Sequence, residues 1–281
     1  MGDRRDSGNT WKNPLHVQNA GAEKISETLL RGNVLRQKAQ AGWALGTFLI
    51  ELPSASTLTA ISLAGFDFVV LDMEHSSVDF STLETLILAG HAAGLAVLVR
   101  TWGEDIGLIG KVLDIGAHGI MAPHVETPER ARAIVEEARF APAGSRGFSP
   151  ITQYDSLSEP LTALAESTFV VVQIEGRAAL EHAAEIAAVP GIDTVFVGPY
   201  DLALSLGVAP GSPPVFAAAR KLAESVPAHV SMGLYIDDPA TCGDWAARRF
   251  ALQCVSFDGR MLSSGARMVA QQARQAMNQK K

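Results

Sequence analysis

The 281-residue chain has only two cysteines, Cys242 and Cys254. A disulfide scaffold and a multi-cysteine zinc centre are therefore excluded, and a single disulfide would have to join these two. Both read as small buried hydrophobes in a reducing cytoplasm. A basic excess is also missing: the net charge is −7. Nucleic acid is thereby excluded as the main partner, because phosphate binding wants a basic face. No apolar run approaches the roughly 18 residues that cross a bilayer, so no membrane partner is expected. The first ten residues, Met1 to Thr10, contain no apolar stretch of a secretory signal, and residues 1–29 read as a solvated tail or extension. No glycine-rich dinucleotide fingerprint, phosphate loop or Gly-x-Ser-x-Gly elbow is present. Aromatic residues are sparse at 6%, charged residues make up 19% and hydrophobic residues 47%, the composition of a compact globule. A chain of this length buries roughly three quarters of its unfolded surface and needs no staples.

What is present is a rhythm. Eight apolar runs recur: Ala44–Ile50, Phe66–Asp72, Leu95–Arg100, Gly119–Ala122, Phe169–Glu175, Thr194–Gly198, His229–Tyr235 and Leu252–Phe257. They are continuously hydrophobic, as parallel strands buried on both faces should be. Helical patterns lie between them, including Ser81–Ala93, Thr127–Arg139, Arg177–Val189 and Pro239–Arg249. Thr127 is a good N-cap with Pro128 behind it, and Gly94 and Gly116 stand where helices end in a left-handed residue. Eight strand–helix units predict an α/β fold, a single (β/α)8 barrel over residues 30–281. A doubly wound open sheet is the alternative. The stretch Phe140–Thr168 breaks the rhythm with several prolines and glycines, and connections of that size usually have a task.

Barrel chemistry collects where strands end. The second run ends Asp72-Met73-Glu74-His75, the third at Arg100, the fifth at Gln173-Ile174-Glu175 and the sixth at Gly198-Pro199-Tyr200-Asp201; the fourth leads into Pro123-His124. Glu175 and Asp201 come from adjacent units and together suit a hard divalent cation, Mg²⁺ or Mn²⁺. Asp201 serves equally well as a first-turn helix acid. His75 reads as a general base, a ligand or a surface residue. Arg100 closes an apolar run and needs an anion, or an ion pair with Asp72 or Glu74. The turn at Gly198-Pro199 offers the amides of Tyr200 and Asp201 to a carboxylate. Asp114 looks like a solvated helix residue, and His91, His118 and His182 read as structural.

These motifs, with Leu113-Asp114-Ile115-Gly116 and Pro142-Ala143-Gly144-Ser145-Arg146-Gly147, resemble the HpcH/HpaI family of metal-dependent, pyruvate-using class II aldolases. The likeness runs from about Leu30 to the end, and Pro123-His124-Val125-Glu126-Thr127 is closest to the macrophomate synthase branch. The resemblance implies a (β/α)8 barrel of the phosphoenolpyruvate/pyruvate-binding type. It implies a homo-oligomer, a hexamer built as a trimer of dimers, with the last helix, about 260–278, exchanged between subunits. Glu175 and Asp201 would bind the metal (Mg²⁺, Mn²⁺ or Co²⁺), with Gln173 supporting them and Arg100 on the keto oxygen of pyruvate. His75 would be the acid/base. Asp114 would orient a histidine, across a subunit boundary in one arrangement, and His124 would face the acceptor. The substrate carboxylate would lie on the turn of Gly198, Pro199 and Tyr200. The expected reaction is reversible cleavage of 4-hydroxy-2-oxo acids to pyruvate and an aldehyde, with oxaloacetate decarboxylation alongside. Two other readings are a coenzyme A thioester lyase like citrate lyase and a catalytically silent keto-acid-binding barrel.

Overall fold

The eight apolar runs form eight parallel strands that pair in chain order until β8 closes on β1. The computed structural model describes residues 31–102, 105–148 and 166–279; the extension at 1–29 and most of the 140–168 connection lie outside these residues. The strands are β1 (Ala44–Leu49), β2 (Phe68–Asp72), β3 (Ala96–Arg100), β4 (Gly119–Ala122), β5 (Phe169–Ile174), β6 (Thr194–Val197), β7 (Ser231–Ile236) and β8 (Phe250–Phe257). The barrel is therefore a (β/α)8 fold, and the open sheet is ruled out. Glu175 and Gly198 fall one residue beyond their strands, at the carboxyl rim.

Two apolar layers hold the barrel together. Alternate strand residues such as Phe68, Val70, Leu98, Phe169, Val171 and Phe196 fill its interior, while Val69, Val97, Val99, Val170 and Val172 face the surrounding helices. Both layers are buried, which is why the strands read as unbroken apolar runs. The inner face changes character toward the rim. Phe68 and Val70 are followed by Asp72, Ala96 and Leu98 by Arg100, and Phe169 and Val171 by Gln173 and Glu175.

The outer helices are α1 (Arg31–Ala41), α2 (Ala55–Leu63), α3 (Phe80–Ala92), α4 (Gly107–Asp114), α5 (Pro128–Ala138), α6 (Arg177–Glu181), α7 (Ala183–Ala187), α8 (Pro199–Leu206), α9 (Pro213–Ser225), α10 (Cys242–Ala246) and α11 (Asp258–Asn278). Gly94 and Gly116 follow helices at φ 79° and 109°, and the Thr127 hydroxyl accepts from the Arg130 amide. Two expected helices are shorter. The Arg177–Val189 pattern breaks at His182 (φ −98°, ψ 6°), yet Ala179, Ala183 and Ile186 stay buried across the break. The apolar stripe is continuous, so periodicity does not reveal it. The Pro239–Arg249 pattern opens as a 3₁₀ turn capped by Asp238 and is helical only over Cys242–Ala246; Arg249, at φ 73°, stands at the entry to β8.

Helix α1 covers the opposite end of the barrel and inserts Leu35 into the inner layer. It is pinned by Arg36, which donates from Nε to Asp193 (2.6 Å) and from Nη2 to the Thr168 carbonyl (2.9 Å). Asp193 also accepts the Val170 amide (2.8 Å), so one carboxylate ties α1, β5 and the approach to β6. Cys242 and Cys254 are both free thiols. Among the described residues no helix is long and apolar enough to cross a membrane.

His91, on α3, stacks on His118 at 4.4 Å between ring centroids. Its role is structural, as is that of His118, whose Nδ1 accepts the Val97 amide (2.8 Å). Burial, opposed by a hydrogen bond to Gly116 and reinforced by Arg31, pulls the pKa of His91 down to about 4. The ring is neutral when folded near pH 7, whereas an unfolded histidine titrates at about 6.5. Its contribution to stability is therefore complete above that pH and declines as the pH falls toward 4. Urea melts of wild type and His91→Gln between pH 7.5 and 4.5 should converge on acidification, the wild type losing more. Parallel curves for the two proteins would show that His91 is not the sensor.

Candidate active site

A cavity of about 370 Å³ opens at the carboxyl rim of the barrel. It brings together most of the residues singled out in the sequence: His75, Arg100, Gln173, Glu175, Gly198, Pro199, Tyr200 and Asp201 all line it. Barrel closure is the cause, because adjacent parallel strands deliver consecutive strand ends to one mouth.

Register explains the strongest contact. Asp72 and Arg100 are direct partners across β2 and β3. Arg100 donates from Nε to Asp72 Oδ1 (2.8 Å) and from Nη2 to Oδ2 (2.7 Å), a two-pronged fork. Glu74 adds a carboxylate oxygen 3.3 Å from Nε. Burial alone would weaken the guanidinium's hold on its proton, but the hydrogen bond and charge of Asp72, with Glu74 and Glu175, leave its pKa raised. The guanidinium also lies 4.8 Å over the Phe48 ring. The ion-pair alternative for Arg100 is thus real, and it coexists with a place in the cavity wall.

Glu175 is the deepest acid of the cavity, 3% exposed. Its Oε1 accepts the His124 amide (2.8 Å), and its Oε2 accepts from Gln173 Nε2 (3.0 Å). Burial pushes its carboxyl up to about 7, opposed by His124 and reinforced by Asp201 and Glu74. Gly198 lies beside it because the last pair of β5 and β6 is Ile174↔Val197. A Cβ at Gly198 would stand 2.3 Å from Glu175 Oε2. Asp201 occupies the first turn of α8, with Gly198 at the N-cap. The amides of Tyr200 and Asp201 come before the first helical hydrogen bond, from Leu202 to Gly198 O (3.0 Å). Asp201 is a first-turn acid, and it also lines the cavity.

The two mouth histidines differ. The His75 side chain is 60% exposed, its Nε2 3.8 Å from Glu74. His124 sits just outside the cavity lining in a left-handed conformation (φ 53°), unusual for a non-glycine residue. Its Nδ1 is 3.1 Å from Glu175 and its Nε2 3.0 Å from Glu74, so the ring bridges two acids. Asp114 is not brought into this cavity. It pairs with Arg146 (2.6 Å) and lines a separate surface cleft with Lys111 and Glu137. Sequence reasoning assigned no site role to Phe48, Tyr235 or Arg260, all of which line the cavity. Phe48 and Tyr235 sit near strand ends and were open to the same rim argument; Arg260 is placed only by the first turn of α11.

A closed parallel barrel with a forked arginine facing buried acids at its carboxyl rim defines a (β/α)8-barrel enzyme. The chain belongs to the HpcH/HpaI aldolase/citrate lyase family, whose sequence profile matches residues 46–262. It is a lyase of the aldolase type. It is 33% identical over 240 residues to the 2-dehydro-3,6-dideoxy-6-sulfogluconate aldolase of Pseudomonas putida, covering 83% of this chain and 94% of that one. It is 34% identical over 242 residues to the hydroxypyruvate/pyruvate aldolase of Rhizorhabdus wittichii, covering 84% and 94%. The crystal structure of an HpcH/HpaI aldolase from Desulfitobacterium hafniense superposes with a TM-score of 0.80 at 28% identity, over 85% of this chain and 96% of that one. Macrophomate synthase shares the fold, with a TM-score of 0.74 at 24% identity over 92% and 91%.

The fork sets a testable coupling. Asp72→Asn and Arg100→Met each leave a buried charge without its partner, while the double variant removes both charges. In urea melts the double variant should be more stable than the summed single losses by about 2–3 kcal/mol. Additive losses would mean that the fork is not an energetic unit.

Proposed function

We propose that this chain is a divalent-metal-dependent pyruvate aldolase. In this reading it cleaves 4-hydroxy-2-oxo acids reversibly to pyruvate and an aldehyde, and it decarboxylates oxaloacetate. The observation that carries the reading is that Glu175 and Asp201 share one cavity with Arg100.

The donors present fit a hard cation. Glu175 is a buried acid whose pKa is raised in part by Asp201. The Oε1 of Gln173 is buried beside it with no hydrogen-bond partner among the described residues. No group of three His, Cys, Asp or Glu side chains is gathered for a metal among the described residues. Glu175 and Asp201 would therefore hold the ion as a carboxylate pair, which suits Mg²⁺ or Mn²⁺, with Co²⁺ also admissible. When bound, the ion supplies Lewis-acid polarisation of the 2-oxo acid.

The chain's own groups do the rest. The amides of Tyr200 and Asp201, beside Gly198 and Pro199, receive the substrate carboxylate at the positive end of α8. Arg100, immobilised by Asp72, faces the keto oxygen and stabilises charge that develops there. His75, exposed at the mouth, takes the proton of the C4 hydroxyl, directly or through water. The electrons of the C3–C4 bond pass to the keto-acid fragment, the aldehyde departs, and C3 takes up a proton to give pyruvate. From oxaloacetate the same electron shift releases CO₂ instead. His124 offers a polar edge to the acceptor. Asp114, outside its own chain's cavity, would act on a histidine of a neighbouring subunit.

The same reading includes a hexamer, a trimer of dimers with exchanged α11. Its support is the helix itself: of 21 residues only Asp258 is buried, while Leu262, Met268, Val269 and Met277 are exposed. An apolar groove of about 770 Å³, lined by Trp43, Leu45, Phe66, Val255 and Met261, lies along the barrel wall near α11. The setting is a cytoplasmic one, in keeping with two free thiols.

Pyruvate release, coupled to lactate dehydrogenase, tests the chemistry. With oxaloacetate and a panel of 4-hydroxy-2-oxo acids, EDTA should abolish release and Mg²⁺ or Mn²⁺ should restore it. Arg100→Lys, which keeps the charge but not the planar fork, should lose at least about a hundredfold in kcat. Absence of release from every substrate by folded, metal-supplied protein would move the assignment to the coenzyme A or silent-barrel readings. Light scattering after gel filtration should give about six times the 29.7 kDa chain mass, and Leu262→Glu with Val269→Glu should give a smaller species. A wild-type monomer would defeat the exchange.

A further inference from the structure

A second cavity, of about 440 Å³, lies outside the barrel at the carboxyl end of β7. Ile236, on the helix-covered side of β7, lines it, together with Phe216 of α9 and Trp245 of α10. Tyr200, Tyr235 and Asp237 line both this cavity and the one inside the rim. The Tyr200–Tyr235 pair, 5.8 Å between ring centroids, is therefore a wall shared by the two. The Tyr235 hydroxyl is buried with no hydrogen-bond partner among the described residues, so the wall has a polar contact still to make.

The outer cavity carries a specific set of groups. Phe216 and Trp245, at 5.6 Å, are a second aromatic pair in its lining. Arg220 and Arg248 also line it; both are exposed, and neither has a hydrogen bond or ion pair among the described residues. A guanidinium suits a planar anion such as a carboxylate. Acids line the cavity too. Asp237 is paired with Arg260 and accepts from the Tyr200 hydroxyl at 2.7 Å. Asp238 accepts the Ala240 amide of its own 3₁₀ turn at 3.0 Å. Asp244 has no partner among the described residues. Charge of both signs beside aromatic rings matches a zwitterion with an aromatic body better than a simple anion.

We propose that the outer cavity binds an aromatic α-amino acid. Its carboxylate lies on Arg220 and Arg248, its ammonium on Asp244 and its ring against Phe216 and Trp245. Occupancy reaches the active cavity through the shared wall, because Pro199 and Tyr200 open α8, whose first turn carries Asp201. The binding stands apart from the aldolase reading; its effect on turnover rests on that reading.

Calorimetric titration of the full chain, in Mg²⁺, with L-phenylalanine, 3-phenylpropionate and phenethylamine tests the site. Phenylalanine should bind with Kd below about 1 mM, at least about tenfold tighter than either singly charged analogue, and saturating pyruvate should not displace it. The double variant Arg220→Gln with Arg248→Gln should weaken it at least about tenfold while turning over oxaloacetate like wild type when no amino acid is present. In wild type, phenylalanine should change kcat or KM for oxaloacetate at least about twofold, and in the double variant it should not. No binding by wild type up to about 10 mM overturns the site, as do equal affinities for the three probes, displacement by pyruvate or full affinity in a double variant that melts like wild type. Binding without any change in turnover overturns the coupling. Wild type inactive with oxaloacetate removes the aldolase reading and leaves the titration to decide the site.

Discussion

Closure of an all-parallel barrel is the constraint on which the rest of the molecule depends. Each strand must find a neighbour on both sides, and right-handed crossovers bring every strand end to the same rim. A residue that ends one run thereby becomes a neighbour of the residue that ends the next. Asp72 and Arg100 are 28 positions apart in the chain but direct partners in register. Glu175 and Gly198 meet because they follow the last pair of β5 and β6. The same closure divides each strand between an inner face and a helix-covered face. Along the inner face, apolar residues give way to acids, an amide and a guanidinium as the rim approaches.

That gradient creates an electrostatic problem at the mouth. Asp72, Glu74, Glu175 and Asp201 approach one another in a partly dry space, with Arg100 the cation among them. The fork neutralises Asp72, and Glu74 lies between Arg100 and the His124 ring. Glu175 receives two hydrogen bonds, and burial lifts its pKa. A carboxylate in that state favours either a proton or a cation. The left-handed backbone of His124 belongs to the same arrangement, since it turns the residue's amide onto Glu175. Strain of this kind persists where the surrounding contacts over-determine it.

The rim is also tied together from outside the cavity. The buried carboxylate of Asp258, at the start of α11, accepts the amides of Ile50, Glu51 and Leu52. The loop after β1, whose Ile50 lines the cavity, is thus joined to the last helix. A Cβ on Gly259 would stand 1.7 Å from the Glu51 carboxylate, so a larger residue there would displace the Glu51 side chain where loop and helix meet. The helix that leaves the barrel with its apolar face exposed is therefore rooted in the wall of the site, and Arg260 sits at that root.

The unbroken apolar runs determined the strands, their number and their parallel pairing, because only strands buried on both faces read that way. The residues closing those runs gave Arg100, Gln173, Glu175 and Asp201 directly, since rim position follows from strand position. Gly94, Gly116 and Thr127 were equally legible, because left-handed ends and N-caps are local. Tertiary structure alone decided the rest. The helix break at His182 was hidden by a continuous apolar stripe. The choice of Asp72 as the fork partner required the register of β2 and β3. Tyr200, Asp237 and Arg260 became one cluster only when three segments met at the rim. Local sequence determines what each residue prefers, whereas contacts between distant residues depend on which strand ends closure places side by side.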